Sequence, residues 1–450
     1  MRKQISPFFF SLIFISLLGD SGLTIAREDE LKLEIGHLKD RNLAIEAFKL
    51  REKLPLKIEG VGREADDPTE YEACAWILDA ASRRVVWDFN SKSAQKKHKR
   101  DDLVVQDEVT LAAGDYELYF AISSSRSIQI KNFYGVISEF WTQLKTDDDK
   151  ISPRWGVKIL CDRSQENCSV LEPCALRNDS QAIVQLIENG DESHQSAGFS
   201  LSRPMDLKIY AIGEGYPSKR EMFDYAWIVD ANSRKRVWEM NARDTRHAGG
   251  GEKNRLFEDI ITLPAGDYLV NYVTDDSHSF EDWNTMPPND PRYWGITIWG
   301  ATVGEGDTYI TPFQADSAKH KPIVSITRMR DDENESQRFQ LTKPTRLRIY
   351  ALGESSSQRM LADYGWIVDT RTREKVWEMK YRDTEHAGGG QKNRMCDTII
   401  ELPAGSYTAY YVTDDSHAFG DWNVGPPFDP EAWGITIWGA ADDFDPASVQ

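Results

Sequence analysis

From Thr274 to Asn284 the chain reads TDDSHSFEDWN, and from Thr413 to Asn423 it reads TDDSHAFGDWN. Each copy gathers three aspartates and an amide oxygen in one short loop: Asp275, Asp276, Asp282 and Asn284, then Asp414, Asp415, Asp421 and Asn423. Oxygen donors at that density suit Ca2+, which takes about six to eight of them, with backbone carbonyls and water completing the shell. The spacing is not that of an EF-hand. The same Asp and Ser side chains could equally bond neighbouring N–H groups and shape a long turn, so both readings stand.

A second pair of loops carries RDTRHAGGGEKNR, Arg243 to Arg255, and RDTEHAGGGQKNR, Arg382 to Arg394. His247, Lys253 and Asn254, with His386, Lys392 and Asn393, could contact an anion or sugar hydroxyls. His278, Phe280 and Trp283, with His417, Phe419 and Trp422, would add stacking faces and hydrogen bonds from the acidic loops. The glycine triplets do not make a phosphate cradle, because no helix N-terminus follows them. They permit positive φ or the close approach of another backbone. His247 and His278 with Asp282 would be the acid, base or metal ligands of a hydrolase, yet no GxSxG or HExxH pattern accompanies them.

The elements that must position these loops come from an internal repeat. IYAIGE at Ile209 recurs as IYALGE at Ile349, DYAWIVD at Asp224 as DYGWIVD at Asp363, and WGITIWG at Trp294 again at Trp433. A fainter first copy keeps Trp76, Asp79, Trp87, Gly114-Asp115-Tyr116 and Trp155-Gly156. Nine of the fourteen Trp fall at three positions filled in every copy, as expected of core anchors. Asp79, Asp230 and Asp369 end strands and should cap turns. Both loops are lost from the first copy while the Trp positions remain, so the loops are expected to meet in space and form one site.

Each copy reads as about eight short strands with turn signals between them. In Arg346–Leu352, apolar Leu347, Ile349 and Ala351 alternate with Arg346, Arg348 and Tyr350, the period of a strand with one buried face. LAIEAFKLREKL, from Leu43, has helical propensity alone, but its partners in the other copies contain Pro204 and Pro344, so all three are expected to run strand, turn, strand. The expected fold is all-β: three tandem antiparallel β-sandwich, jelly-roll-like modules after a signal peptide. The divisions are a leader at 1–26, repeats at 30–161, 181–301 and 322–440, a Cys-containing linker at 162–180, a linker at 302–321, and an acidic tail at 441–450.

Composition sets the compartment. Arg2 and Lys3 precede an apolar run from Ile5 to Leu18, with small residues leading to Ala26, the pattern of an export signal. No other segment approaches the ~20 apolar residues of a spanning helix, so no transmembrane segment is expected in the mature chain. A net charge of −19 argues against nucleic acid and anionic membranes. Among Cys161, Cys168 and Cys174 one disulfide is expected in an oxidising compartment, while Cys396 and Cys74 read as buried thiols. The expected protein is secreted or periplasmic and multivalent. Repeats two and three each carry a Ca2+-stabilised site for an extracellular ligand such as a glycan or surface polymer, two linked sites serving avidity better than catalysis. The alternatives are a structural spacer and a metal-dependent hydrolase.

Overall fold

The computed structural model describes residues 30–36, 38, 43–64, 71–89, 95–96, 102–123, 155–162, 167–173, 181–280, 282–301, 309–313, 321–355, 359–440 and 444–449. The expected leader, Cys174 and most of the Lys92–Arg100 run lie outside the described residues. The fold is all-β, with antiparallel sheets throughout.

The second and third repeats build matching pairs of sheets. In one sheet of the second repeat, Ala182–Ile187, Gly295–Gly300, Met205–Tyr216, Asn254–Leu263 and Arg246–His247 lie side by side in that order. The third repeat orders Val324–Ile326, Gly434–Gly439, Thr345–Glu354, Asn393–Leu402 and Glu385–His386 in the same way. The facing sheets centre on Tyr225–Asp230 beside Gly266–Val273, and on Tyr364–Asp369 beside Gly405–Val412. In the first repeat, pairing of Arg63 with Ala73 joins the two halves into one continuous ten-stranded sheet.

The sequence pattern accounts for these strands. Leu207, Ile209, Leu347 and Ile349 are fully buried between sheets, and the Leu43 segment forms Leu43–Leu50, a turn, then Leu54–Glu64. Asp79, Asp230 and Asp369 accept the N–H of Ser82, Ser233 and Thr372 at 2.6–2.9 Å, as turn caps should. At each Gly-x-Tyr turn a Tyr hydroxyl donates back four residues, Tyr268 to Pro264 O and Tyr407 to Pro403 O, both at 2.9 Å.

Two features differ from the sequence reading. The expected linkers supply edge strands: Cys168–Leu171 pairs with Leu43–Leu50, and Ile310–Phe313 with His194–Leu201. In the third repeat Val449 bridges to Leu341 in the matching place. Each covering segment satisfies strand edges that would otherwise invite foreign pairing. The second difference concerns the Trp positions. Trp87, Trp155, Trp294 and Trp433 are buried in or beside their own repeat's core. Trp76 and Trp227 are instead closed over by the following repeat.

That closure is directional. Trp76 Nε1 donates to Asn289 O at 2.7 Å, and Trp227 Nε1 to Phe428 O at 2.6 Å. One residue further along each accepting loop, Asp290 is held by Arg83 and Asp429 by Arg234. Arg83 Nε lies 2.9 Å from Asp290 Oδ2, and both side chains are almost wholly buried beside Glu117. Arg83 and Arg234 sit at positive φ in the turns that Asp79 and Asp230 cap, which aims them at the next repeat. The repeats therefore join head to tail through the same contact, used twice.

Candidate functional site

Both sequence-singled loops meet in each of the later repeats. Gly251 N donates to Met286 O at 2.9 Å, Asn289 N to Ala248 O at 2.8 Å, and the Asn254 amide to Gly249 O and Met286 O. The glycine triplet makes this possible. Gly249 and Gly250 adopt φ of 86° and 66°, and a Cβ on Gly250 would fall 1.9 Å from Pro287 O. Gly389 stands in the same relation to Pro426 O.

The His residues serve this junction. His278 Nε2 lies 2.6 Å from Asn254 Oδ1, and His417 Nε2 lies 2.5 Å from Asn393 Oδ1. Since the Asn amide nitrogens are spent on carbonyls, each Oδ1 accepts and each Nε2 carries the proton. Burial pushes the His278 imidazole down to about 2 and His417 to about 3, so both are neutral at physiological pH. His247 and His386 are exposed and donate Nε2 to Gly251 O and Gly390 O at 3.0 Å. In all four, Nε2 is spent as a donor, which leaves Nδ1 as the acceptor nitrogen of the ring.

Trp283 is fully buried edge-on against His278 and Trp294, with ring centroids 5.1 and 5.0 Å away. Its third-repeat counterpart Trp422 packs the same way and is half-buried, as are Phe280 and Phe419. Lys253, Asn254 and Asn393 are buried, and Lys392 is half-buried. Asp276, Asp282, Asp415, Asp421 and Asn423 stand at the exposed rim, and Asn284 is half-buried.

Of the eight loop-motif residues, only Asp275 and Asp414 converge with other acids, and those acids lie outside the motif. Carboxylate oxygens of Glu214, Asp224 and Asp275 lie within 4.8 Å of one another, as do those of Glu354, Asp363 and Asp414. Glu214 ends the long strand Met205–Tyr216, Asp224 precedes Tyr225–Asp230, and Asp275 follows Gly266–Val273. Three strand ends thus deliver one carboxylate each. Asp224 Oδ1 accepts the Asp275 N–H at 2.9 Å, and its Oδ2 accepts Trp294 Nε1 at 3.0 Å. Asp363 repeats both bonds with Asp414 and Trp433 at the same distances.

Charge in this pocket is unbalanced. Lys253 Nζ sits 3.0 Å from Glu214 Oε1, and Lys392 Nζ 2.9 Å from Glu354 Oε1, giving one ammonium for three carboxylates. Among the described residues, Glu214 Oε2 and Glu354 Oε2 have no hydrogen-bond partner, and the two side chains belong to residues only 4% and 7% exposed. Burial, opposed by the lysine, pushes Glu214 up to about 7. Burial likewise pushes Asp363 up to about 8 and holds Asp224 well above the carboxylate range. Such a pocket either retains protons or takes up a cation.

The first repeat solves the same place differently. Its residues at the Glu214 and Asp224 positions are Arg63 and Ala73, located by the shared close approach of Gly62 to Ala73 O and of Gly213 to Asp224 O. The Arg63 guanidinium lies over the Trp155 ring, 5.0 Å from its centroid. A positive side chain stands where the later repeats have an acid. The signal for Glu214 and Asp224 was present in the repeated IYAIGE and DYAWIVD, but an isolated acid at a strand end carries no loop motif.

A hollow of about 250 Å³ lies between the first and second repeats, lined by Trp76, Tyr71, Asp88, His247 and the glycine turn. Of the expected ligand-contact residues, His247 lines it. Cys161 and Cys168 are buried in the first core and form no disulfide with each other, and Cys174 lies outside the described residues; Cys396 is buried in the third. Among the described residues no helix is long and apolar enough to cross a membrane. Comparison with protein-family models and with curated proteins finds no match to the chain.

Proposed function

We propose that the chain is an extracytoplasmic, multivalent binding protein whose second and third repeats each hold a divalent cation. The pockets are Glu214, Asp224 and Asp275, and Glu354, Asp363 and Asp414; their oxygen-only donor sets suit Ca2+. One observation carries this reading: a buried Glu oxygen without a partner, inside a pocket of excess negative charge, occurs twice at the same place. The first repeat supports it: Arg63 and Ala73 stand at the Glu214 and Asp224 positions, and Arg63 pairs with Glu72 and lies over Trp155, so two of the three acids are absent together.

With Trp283 sealed in the interior, ligand contact falls to the rim above each pocket, where exposed Asp276 and Asp282 adjoin half-buried Phe280. A glycan or other hydroxyl-rich surface polymer is the ligand class that such a rim suits. Export rests on the basic, then apolar, then small-residue start of the sequence. Two linked sites raise avidity with no new type of contact.

Calorimetric melting in EDTA and then in Ca2+ tests the cation. Ca2+ should raise the transitions of the second and third repeats, and Glu214→Gln with Glu354→Gln should remove the response. No shift in the native chain would sink the cation reading. Glycan-array binding, compared between the native chain and the double variant, then tests the ligand class.

A second reading, a rigid spacer, is favoured by the buried Arg83–Asp290 and Arg234–Asp429 clamps, which fix neighbouring repeats to one another. The two readings are compatible, since a stiff array would hold both rims at a set spacing.

A further inference from the structure

The contact that joins the repeats is used twice within the chain, and the structure contains its receiving half a third time. In the third repeat Trp366 occupies the position of Trp76 and Trp227, and Arg373 that of Arg83 and Arg234. Asp369 caps its turn as Asp79 and Asp230 do, and Arg373 takes φ of 65° against 55° and 61° in the other two. Trp366 stacks on Tyr410 with centroids 5.2 Å apart at 9°, the same geometry as Trp76 on Tyr119. The receiving surface is thus already in its engaged shape.

What differs is the cover. Trp76 and Trp227 are 4% and 0% exposed beneath the loops of the next repeat, whereas Trp366 is half-buried and Arg373 exposed. No described residue accepts the Trp366 N–H or pairs with the Arg373 guanidinium. An open hollow of about 490 Å³ lies on this face, lined by Val368, Arg373, Thr408 and Tyr410.

We propose that Trp366, Tyr410 and Arg373 form an open docking face for a loop of another protein. The occupant is a loop in which a backbone carbonyl precedes an Asp-Pro pair, the form of Asn289-Asp290-Pro291 and Phe428-Asp429-Pro430. Its carbonyl takes the Trp366 N–H, and its Asp takes the Arg373 guanidinium as a charge-assisted pair. The face continues an established interface: the Trp and Arg positions hold such a loop at both internal junctions, and the stacked Tyr is shared with the first of them. Among the described residues, the loops at Asp290 and Asp429 are engaged at those junctions, and Phe444-Asp445-Pro446 is tied to its own repeat, where Asp445 pairs with Lys343 and accepts the Ala447 N–H, so the occupant is foreign.

The probe is a disulfide-cyclised peptide of residues Gly425–Trp433, titrated against the full chain with 5-fluorotryptophan at Trp366 and read by its fluorine shift. A saturable shift is expected, weakened about tenfold or more by Arg373→Ala or by Asn in place of the peptide's Asp429. Arg373→Ala should leave the melting temperature unchanged, which separates lost docking from lost folding. No shift at millimolar peptide, or an equal shift with Arg373→Ala, would overturn the proposal. Self-association of the full chain that Arg373→Ala abolishes would also overturn it, making a second copy the occupant.

Discussion

The first and third repeats share a framework and differ at opposite places. In the first, the acid pocket is replaced by Arg63 and Ala73, while its Trp76–Arg83 face is closed by the following repeat. In the third, the pocket of Glu354, Asp363 and Asp414 is intact, while the equivalent Trp366–Arg373 face is open. Neither feature is therefore needed to fold a repeat. A sandwich tolerates an acid cluster or its absence, and a covered Trp or a bare one, provided the apolar faces between its sheets are kept.

The largest expected effect tests the closed face. Arg83→Ala should cost about 3–5 kcal/mol in denaturant unfolding, because it leaves Asp290 and Glu117 buried with less positive charge to meet them. The same change at the open face, Arg373→Ala, is the control at the bottom of the scale and should fall within about 0.5 kcal/mol. Comparable losses at both would erase the distinction between the two faces.

Next is the pocket itself. Asp363→Ala copies the first repeat's residue and strands two donors, the Asp414 N–H and Trp433 Nε1. The third repeat should lose about 2–4 kcal/mol, measured by urea unfolding. Ca2+ at a hundredfold excess over its dissociation constant should add about 2.7 kcal/mol to each later repeat and nothing to the first, read by calorimetry.

The pH dependence is smaller and has a defined window. Glu214 and Asp363 titrate near 7 and 8 when folded and near 4.5 and 3.8 when unfolded, so the folded state holds extra protons between those values. Cation-free stability should therefore fall as pH rises through that interval. His278 and His417 act in the opposite direction, since they are neutral when folded and bind protons below about 6.5 when unfolded. Between pH 6.5 and 8 the carboxylates dominate, and each should contribute a loss of about 1 kcal/mol. Saturating Ca2+ should flatten that slope, and a slope unchanged by Ca2+ would detach the pocket from the cation.

Repetition within one chain made the strands and the junction of the two loops legible, because residues kept in copies report what a framework requires. The loop carboxylates attracted attention through density, yet Asp276 and Asp282 remain at the rim and only Asp275 enters the pocket. Glu214 and Asp224 were hidden by ordinariness, each a single acid at a strand end. Trp283 had the composition of an exposed stacking residue, but it fills the space between His278 and Trp294.

Strand alternation, turn chemistry and the Gly-Gly-Gly crossing are local properties, and the amino-acid order alone determined them. Whether a Trp becomes a core residue, a shared seam or a bare face was settled only by what stacks beyond it. The same holds for the pocket: Glu214 and Asp224 face each other across a short connection, but Asp275 lies 51 residues beyond Asp224, and the folded repeat brings it to them. Burial and carboxylate proximity are properties of that assembled arrangement, so no single segment carries them.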